Sequence, residues 1–160
     1  MRGKVRLTSS LEDYLEAIWL LSRESKAVRV RDVARYLGVT PASVVNAVKM
    51  LARRGLVEHE PYGYISLTDK GVELATQIYE RHTILTCFFR DILGLDSNSA
   101  EQTACILEHH ISEEGLARLV KFLEFVEECP DRAPYWLKSF HHYMKTGKRL
   151  VICPLRGKQK

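Results

Sequence analysis

Residues 28 to 67 leave little freedom of fold. VRVRDVARYLGV carries apolar residues at Val30, Val33, Ala34 and Leu37, the i, i+3, i+4, i+7 spacing of a short amphipathic helix that runs to Gly38. Thr40-Pro41 opens a second helix through Ala42 to Arg54, with Thr40 placed as N-cap and Pro41 in the first turn, where its missing N–H costs nothing. Two short helices joined by a glycine-containing turn predict a helix-turn-helix. LVEHEPYGYISLTDKG follows, and its β-branched and aromatic residues flank Pro61-Tyr62-Gly63, the chemistry of a hairpin turn. A helix-turn-helix followed by such a hairpin is a winged helix.

Around that unit the periodicity is helical. Leu11, Tyr14, Leu15, Ile18, Trp19 and Leu21 predict a helix behind Thr8, Ser9 and Ser10 that ends near Glu24 to Lys26. Thr68 or Asp69 caps a long helix from about residue 70 to 93, closed by Gly94. Ser97 or Ser99 starts the helix that holds ACILEHHISEEG, Ser112 caps another to about Glu128, Cys129-Pro130 ends that one, and a last helix runs from Pro134 to about Lys145. The fold class expected is mostly α. An N-terminal winged helix-turn-helix occupies residues 1–70, an all-helical domain residues 71–146, and a basic tail residues 147–160. No apolar run reaches the roughly 18 residues of a membrane span, no h-region follows the N-terminus, and the four cysteines form no CxxC pair, so a cytoplasmic protein with reduced thiols is expected.

Charge is segregated. Residues 1 to 56 hold 11 Lys/Arg against 5 Asp/Glu, residues 57 to 128 hold 5 against 14, and residues 129 to 160 hold 8 against 1. A basic front predicts an anionic partner. On the second helix of the pair, Val44, Val48 and Leu51 form the apolar face, which leaves Thr40, Ala42, Ser43, Asn46 and Lys49 outward for double-stranded DNA. Ser43 and Asn46 suit base edges, Ala42 a thymine methyl, and Lys49, Arg53 and Arg54 phosphates. Tyr62 in the wing and Arg2, Lys4 and Arg6 on the leading arm add backbone contacts. A single copy reads too few bases, so a homodimer on a palindrome is expected.

The acidic middle carries different chemistry. Cys105, Glu108 and His109 fall at i, i+3 and i+4 on one helix face, and Asp13 and Glu16 fall at i, i+3 on the first helix. Either group alone reads as ordinary surface or core, as does His82 in YERHTIL. Together, Asp13, Glu16, His82, Cys105, Glu108 and His109 bring carboxylate, imidazole and thiolate from three helices, enough for one or two six-coordinate divalent ions. His110 points about 100 degrees away from His109 and falls outside that sphere. His59 reads as a solvated loop residue, and His141-His142 as an exposed helix pair.

LEDYLEAI, TPASVVNAVKML, GYISLTDKG, ERH and CILEHHIS, in that order over residues 7 to 128, resemble the diphtheria-toxin-repressor and manganese-transport-repressor family of metal-dependent transcriptional regulators. The resemblance implies a homodimer that binds palindromic operator DNA when loaded with Mn(II) or Fe(II), with ligands at Asp13, Glu16, His82, Glu108 and His109, and a second domain serving metal binding and dimerisation. Repression of metal-uptake genes is the role it suggests. The SH3-like domain of the longer iron regulators is not expected. Manganese sensors of the family resemble this chain at Asp13 but carry Glu where Cys105 stands; iron sensors are similar at Cys105 but carry Met in place of Asp13. Thiolate favours Fe(II), Co(II) or Zn(II) and carboxylates retain Mn(II), so this hybrid does not name its metal. Acid is expected to weaken the response, because thiolate and neutral imidazole are the binding forms. HExxH spacing is missing, so no hydrolytic zinc enzyme is expected. The remaining alternative is a winged-helix regulator that answers to an organic ligand or a protein partner.

Overall fold

The structure, a computed structural model, describes residues 7–24, 27–59, 63–128 and 134–150. Expectations resting on Arg2, Lys4, Arg6, Tyr62, the Cys129-Pro130 helix stop, Cys153 and the end of the tail fall outside those residues. Two compact units divide between Glu80 and Arg81.

In the first unit, α1 (Ser9–Glu24) begins where the Thr8 carbonyl accepts from the Leu11 and Glu12 N–H groups, and it buries Leu11, Tyr14, Leu15, Ile18 and Trp19 along one stripe. The two-residue strand β1 (Val28–Arg29) leads directly into α2 (Val30–Leu37). That helix stops because Gly38 takes φ +67, a left-handed conformation that costs glycine little, and its N–H returns to Ala34 and Arg35. Helix α3 (Pro41–Arg53) starts as its sequence predicts: the Thr40 hydroxyl oxygen accepts from the Ser43 N–H at 3.2 Å, with Pro41 in the first turn. Strands β2 (Val57–His59) and β3 (Tyr64–Leu67) form the hairpin, with Val57 opposite Leu67 and His59 opposite Ile65.

Strand β1 is an addition to the expected hairpin. It pairs antiparallel with β3, Val28 opposite Ile65 and Arg29 opposite Tyr64, so the sheet order is β1-β3-β2. Two residues are too few to show an alternating pattern. The core below is apolar throughout, with Leu15, Ile18, Val33, Val44, Val48, Leu51, Leu56 and Ile78 fully buried. Each such side chain contributes about 1.5–3 kcal/mol relative to exposure.

Helix α4 (Asp69–Cys87) belongs to both units in sequence, and its opening turns pack Ala75 and Ile78 into this first core. That is why the compact units divide at residues 80 and 81, whereas the sequence suggests a change of domain at 70 and 71. Its start is tightly built. The Thr68 hydroxyl accepts from Gly71 N–H at 3.0 Å and donates to the Gly55 carbonyl at 2.8 Å, and a Cβ at position 71 would lie 1.9 Å from the Leu56 carbonyl oxygen.

In the second unit the single helix expected to about residue 93 instead changes winding. The backbone widens into a π-helical turn, Phe88–Ile92, in which Leu93 N–H reaches back to the Phe88 carbonyl. Helix α5 (Ser97–Leu107) is capped by Asp96 rather than Ser97 or Ser99, through an Asp96 oxygen 3.1 Å from Ser99 N. Helix α6 (Glu113–Glu127) starts at the predicted Ser112 cap, and α7 (Tyr135–Thr146) ends at Gly147. A small core gathers Ile92, Val126 and Leu137, flanked by Phe88 and Phe122 in an edge-to-face contact. Among the described residues no helix is long and apolar enough to cross a membrane.

Candidate metal centre and DNA-reading face

Helix α5 ends at Leu107, one residue short of the expected Glu108. Glu108 itself keeps helical angles, φ −58 and ψ −30, and its N–H still bonds the Ala104 carbonyl. His110 and Ile111 N–H groups then both turn back to the Leu107 carbonyl. The turn sends the two histidines to different environments, with His109 half-buried and His110 exposed.

Glu108 is the buried charge of this unit, 1% exposed. Its Oε2 lies 2.8 Å from Nδ1 of His82 on α4, and its Oε1 lies 3.5 Å from Nε2 of His109. The Arg81 guanidinium donates to the Glu108 backbone carbonyl at 3.2 Å and fixes the end of α5 against α4. A carboxylate taken out of water costs several kcal/mol unless its oxygens are satisfied. Here Oε2 is satisfied by an imidazole, whereas Oε1 is buried without a hydrogen-bond partner. A buried carboxylate oxygen left unbonded beside an imidazole nitrogen is a lone pair that suits a cation. Oxygen and nitrogen donors are the types that first-row divalent ions of intermediate hardness take. The residues present therefore fit such a metal.

His82, Glu108 and His109 are thus brought together within the second unit. Cys105 lies one turn before Glu108 and is exposed. Asp13 and Glu16 sit in the first unit on α1, both half-buried on the flank of its apolar stripe. Arg81 was not singled out in the sequence, where the only signal is a lone basic residue beside His82. The His141-His142 pair is not the exposed pair its sequence suggests. Both are half-buried, and His141 Nε2 lies 2.9 Å from the Ile92 carbonyl oxygen at the end of the π turn.

On α3 of the first unit, Thr40, Ala42, Ser43, Asn46 and Lys49 are all exposed, while Val44, Val48 and Leu51 are fully buried. The Ser43 hydroxyl lies 2.9 Å from that of Thr40, so one short polar pair leads the helix. Such a face offers donors and acceptors to base edges with no acidic side chain among them.

Two family models match nearly the whole described chain: "Iron dependent repressor, N-terminal DNA binding domain" over residues 6–65 and "Iron dependent repressor, metal binding and dimerisation domain" over residues 68–137. An HTH-type transcriptional regulator of Methanocaldococcus jannaschii, itself named as uncharacterized, is 41% identical over 119 residues, 74% of this chain and 95% of its own length. The HTH-type transcriptional regulator MntR of Lysinibacillus sphaericus is 35% identical over 124 residues, 78% of this chain and 88% of its own. Among solved structures, the manganese regulator SloR is similar with a TM-score of 0.67 at 31% identity, covering 78% of this chain and 58% of that one. A manganese-dependent transcriptional repressor solved with manganese gives 0.67 at 30% identity, covering 78% and 57%. The chain spans little more than half the length of those solved chains.

Proposed function

The chain belongs to the iron-dependent repressor family of metal-dependent transcriptional regulators, which are not enzymes, and we propose that it is a cytoplasmic homodimer that binds palindromic operator DNA when loaded with Mn(II) or Fe(II), so repressing metal-uptake genes. The observation that carries this reading is the buried Glu108 carboxylate, with one oxygen on His82 and the other without a hydrogen bond beside His109.

Asp13, Glu16, His82, Cys105, Glu108 and His109 hold one or two ions per subunit in this proposal. A bound divalent ion supplies positive charge that neutralises the carboxylates and joins ligands from α1 to ligands from α4 and α5. Glu108 supplies the deepest oxygen. Its contact with His82 Nδ1 orients that ring, the carboxylate–histidine arrangement that sets the tautomer of a ligating imidazole. Cys105 enters from the exposed rim and biases the set toward softer ions than carboxylates alone select. On the DNA side, Ser43 and Asn46 read base edges, Ala42 meets a thymine methyl, and Thr40 and Lys49 hold phosphates. Ligands shared by α1 and the second unit restrict how the reading helices are presented. A dimer whose reading helices keep about one helical turn of separation, roughly 34 Å, binds two half-sites at once.

The homodimer draws support from apolar surface in the second unit: Ile106, Phe125 and Met144 are 68%, 63% and 62% exposed. Residues of that kind, clustered on one unit of a chain, mark a surface completed by another protein.

An anaerobic gel shift with Mn(II), with Fe(II) and with chelator tests the function. Metal-dependent retardation is the expected result, and a Glu108→Ala, His109→Ala double variant loses it while retaining weak, salt-sensitive binding. Retardation equally strong in chelator would return the chain to regulation by an organic ligand or protein partner.

A further inference from the structure

A cleft of about 540 Å³ opens in the first unit between the end of α1, β1, α2 and β3, and Arg29, Arg31, Arg35, Tyr36 and Tyr64 line it. None of these five has a part in the base-reading face described above. Arg29 stands opposite Tyr64 in the β1–β3 register, its guanidinium carbon 4.7 Å from the centre of the Tyr64 ring and its NH2 donating to the Tyr64 hydroxyl. Stacking and the hydrogen bond hold the guanidinium in one place and still leave it donors to offer. Arg31 and Arg35 follow on the exposed side of α2, one turn and about 6 Å apart along the helix.

Two acidic residues also border the cleft, Glu24 and Asp32. Asp32 is committed locally: it accepts the Arg29 N–H at 3.1 Å and lies 3.6 Å from the Arg31 guanidinium. Three guanidinium groups against two carboxylates, one of them already engaged, leave the cleft cationic. Every cation here is arginine, whose planar fork matches phosphate in a bidentate way that lysine does not. Tyr64 is the first residue of the strand leaving the wing, and Arg29 immediately precedes α2, the helix that in a helix-turn-helix crosses the DNA backbone.

We propose that this cleft, through Arg29, Arg31 and Arg35, grips backbone phosphates of duplex DNA beside the bases read by α3. The proposal rests on the operator-binding reading above and adds a sequence-independent contact to it. Arg29 is preset by Tyr64. Arg31 and Arg35 supply mobile charges that settle on phosphates, so they contribute affinity and salt dependence without discrimination between sequences.

The test uses the full-length, Mn(II)-loaded protein and fluorescence anisotropy, on a selected operator duplex and on a scrambled duplex, from 50 to 200 mM salt. An Arg31→Ala, Arg35→Ala variant should lower the slope of log affinity against log salt by about 1.8 on both duplexes, which is about a 12-fold smaller loss over that range. Both side chains are exposed, so folding, followed by circular dichroism, is expected to be unchanged. Asn46→Ala serves as contrast: it weakens the operator and leaves the scrambled duplex and the slope as they were. Wild-type binding with the same slope in the arginine variant overturns the cleft as a phosphate site and leaves the operator reading standing. Absence of wild-type binding to either duplex at 50 mM salt overturns both.

Discussion

In the first unit Leu15, Ile18, Val33, Val44, Leu51 and Leu56 are fully buried and, among the described residues, no charged side chain is; in the second, the large side chain buried to that depth is Glu108, while Ile106, Phe125 and Met144 stand in solvent. The first unit completes its core from its own residues, as a reading head must if it is to hold α3 rigidly. The second keeps apolar surface outside and a charge inside. Both choices cost stability in an isolated chain, and both are recovered by something that is not the chain: another protein surface and a cation.

Substitutions sharpen that contrast. Gly71→Ala has the largest expected effect, because the added methyl meets the Leu56 carbonyl at 1.9 Å and backbone rather than a flexible side chain must give way. Overpacking of this kind costs about 3 kcal/mol or more. Urea denaturation should show the first unit's transition moved to lower denaturant; an unchanged midpoint would mean that its core is looser than described. Phe125→Asp acts on the other unit and should leave the fold intact while weakening self-association by about 30-fold, or about 2 kcal/mol. Sedimentation measurements would show monomer at concentrations where the parent is dimeric. An unaltered dimer would place the interface elsewhere.

The smallest effect is a pH dependence. The Ser99 hydroxyl and Ser99 N–H hold the Asp96 carboxyl below its ordinary range at the start of α5. Since the folded value is depressed, this contribution is present above the unfolded pKa of about 3.9 and fades as pH falls through the lowered folded value. Asp96→Asn retains a capping oxygen but removes that part of the acid dependence, so melting temperatures of the two proteins should converge below pH 3. A constant difference from pH 7 to pH 2 would contradict the assignment.

The same contrast explains what was legible in the sequence. The Thr40 cap, Pro41 in the first turn and the Val44, Val48, Leu51 face of α3 follow from local spacing, and so does the hairpin around its Pro-x-Gly turn. Strand β1 does not, because its only partner lies more than thirty residues away and two residues carry no period. Asp96, Ser97 and Ser99 are all competent caps, and only the backbone path selects Asp96. The π turn leaves no mark in the apolar pattern, since Phe88, Phe89 and Ile92 satisfy α-helical spacing as well. At the candidate centre, residue types suggested donors, but the pairing of His82 with Glu108 and the burial of that carboxylate arise from the packing of α4 on α5. Arg81 and His141 bond backbone carbonyls, a choice of partner that side-chain chemistry does not reveal.

The claim on which the rest depends is that occupancy of the metal ligands and occupancy of DNA are coupled. Linkage makes that coupling symmetric: whatever factor Mn(II) adds to operator affinity, operator must add to Mn(II) affinity. Mn(II) binding, followed by its electron paramagnetic resonance signal with and without a saturating operator duplex, tests this directly. The account predicts tighter Mn(II) binding in the presence of operator, on the order of 10-fold or more, and no such gain in Glu108→Ala. Equal Mn(II) affinity with and without DNA would contradict it.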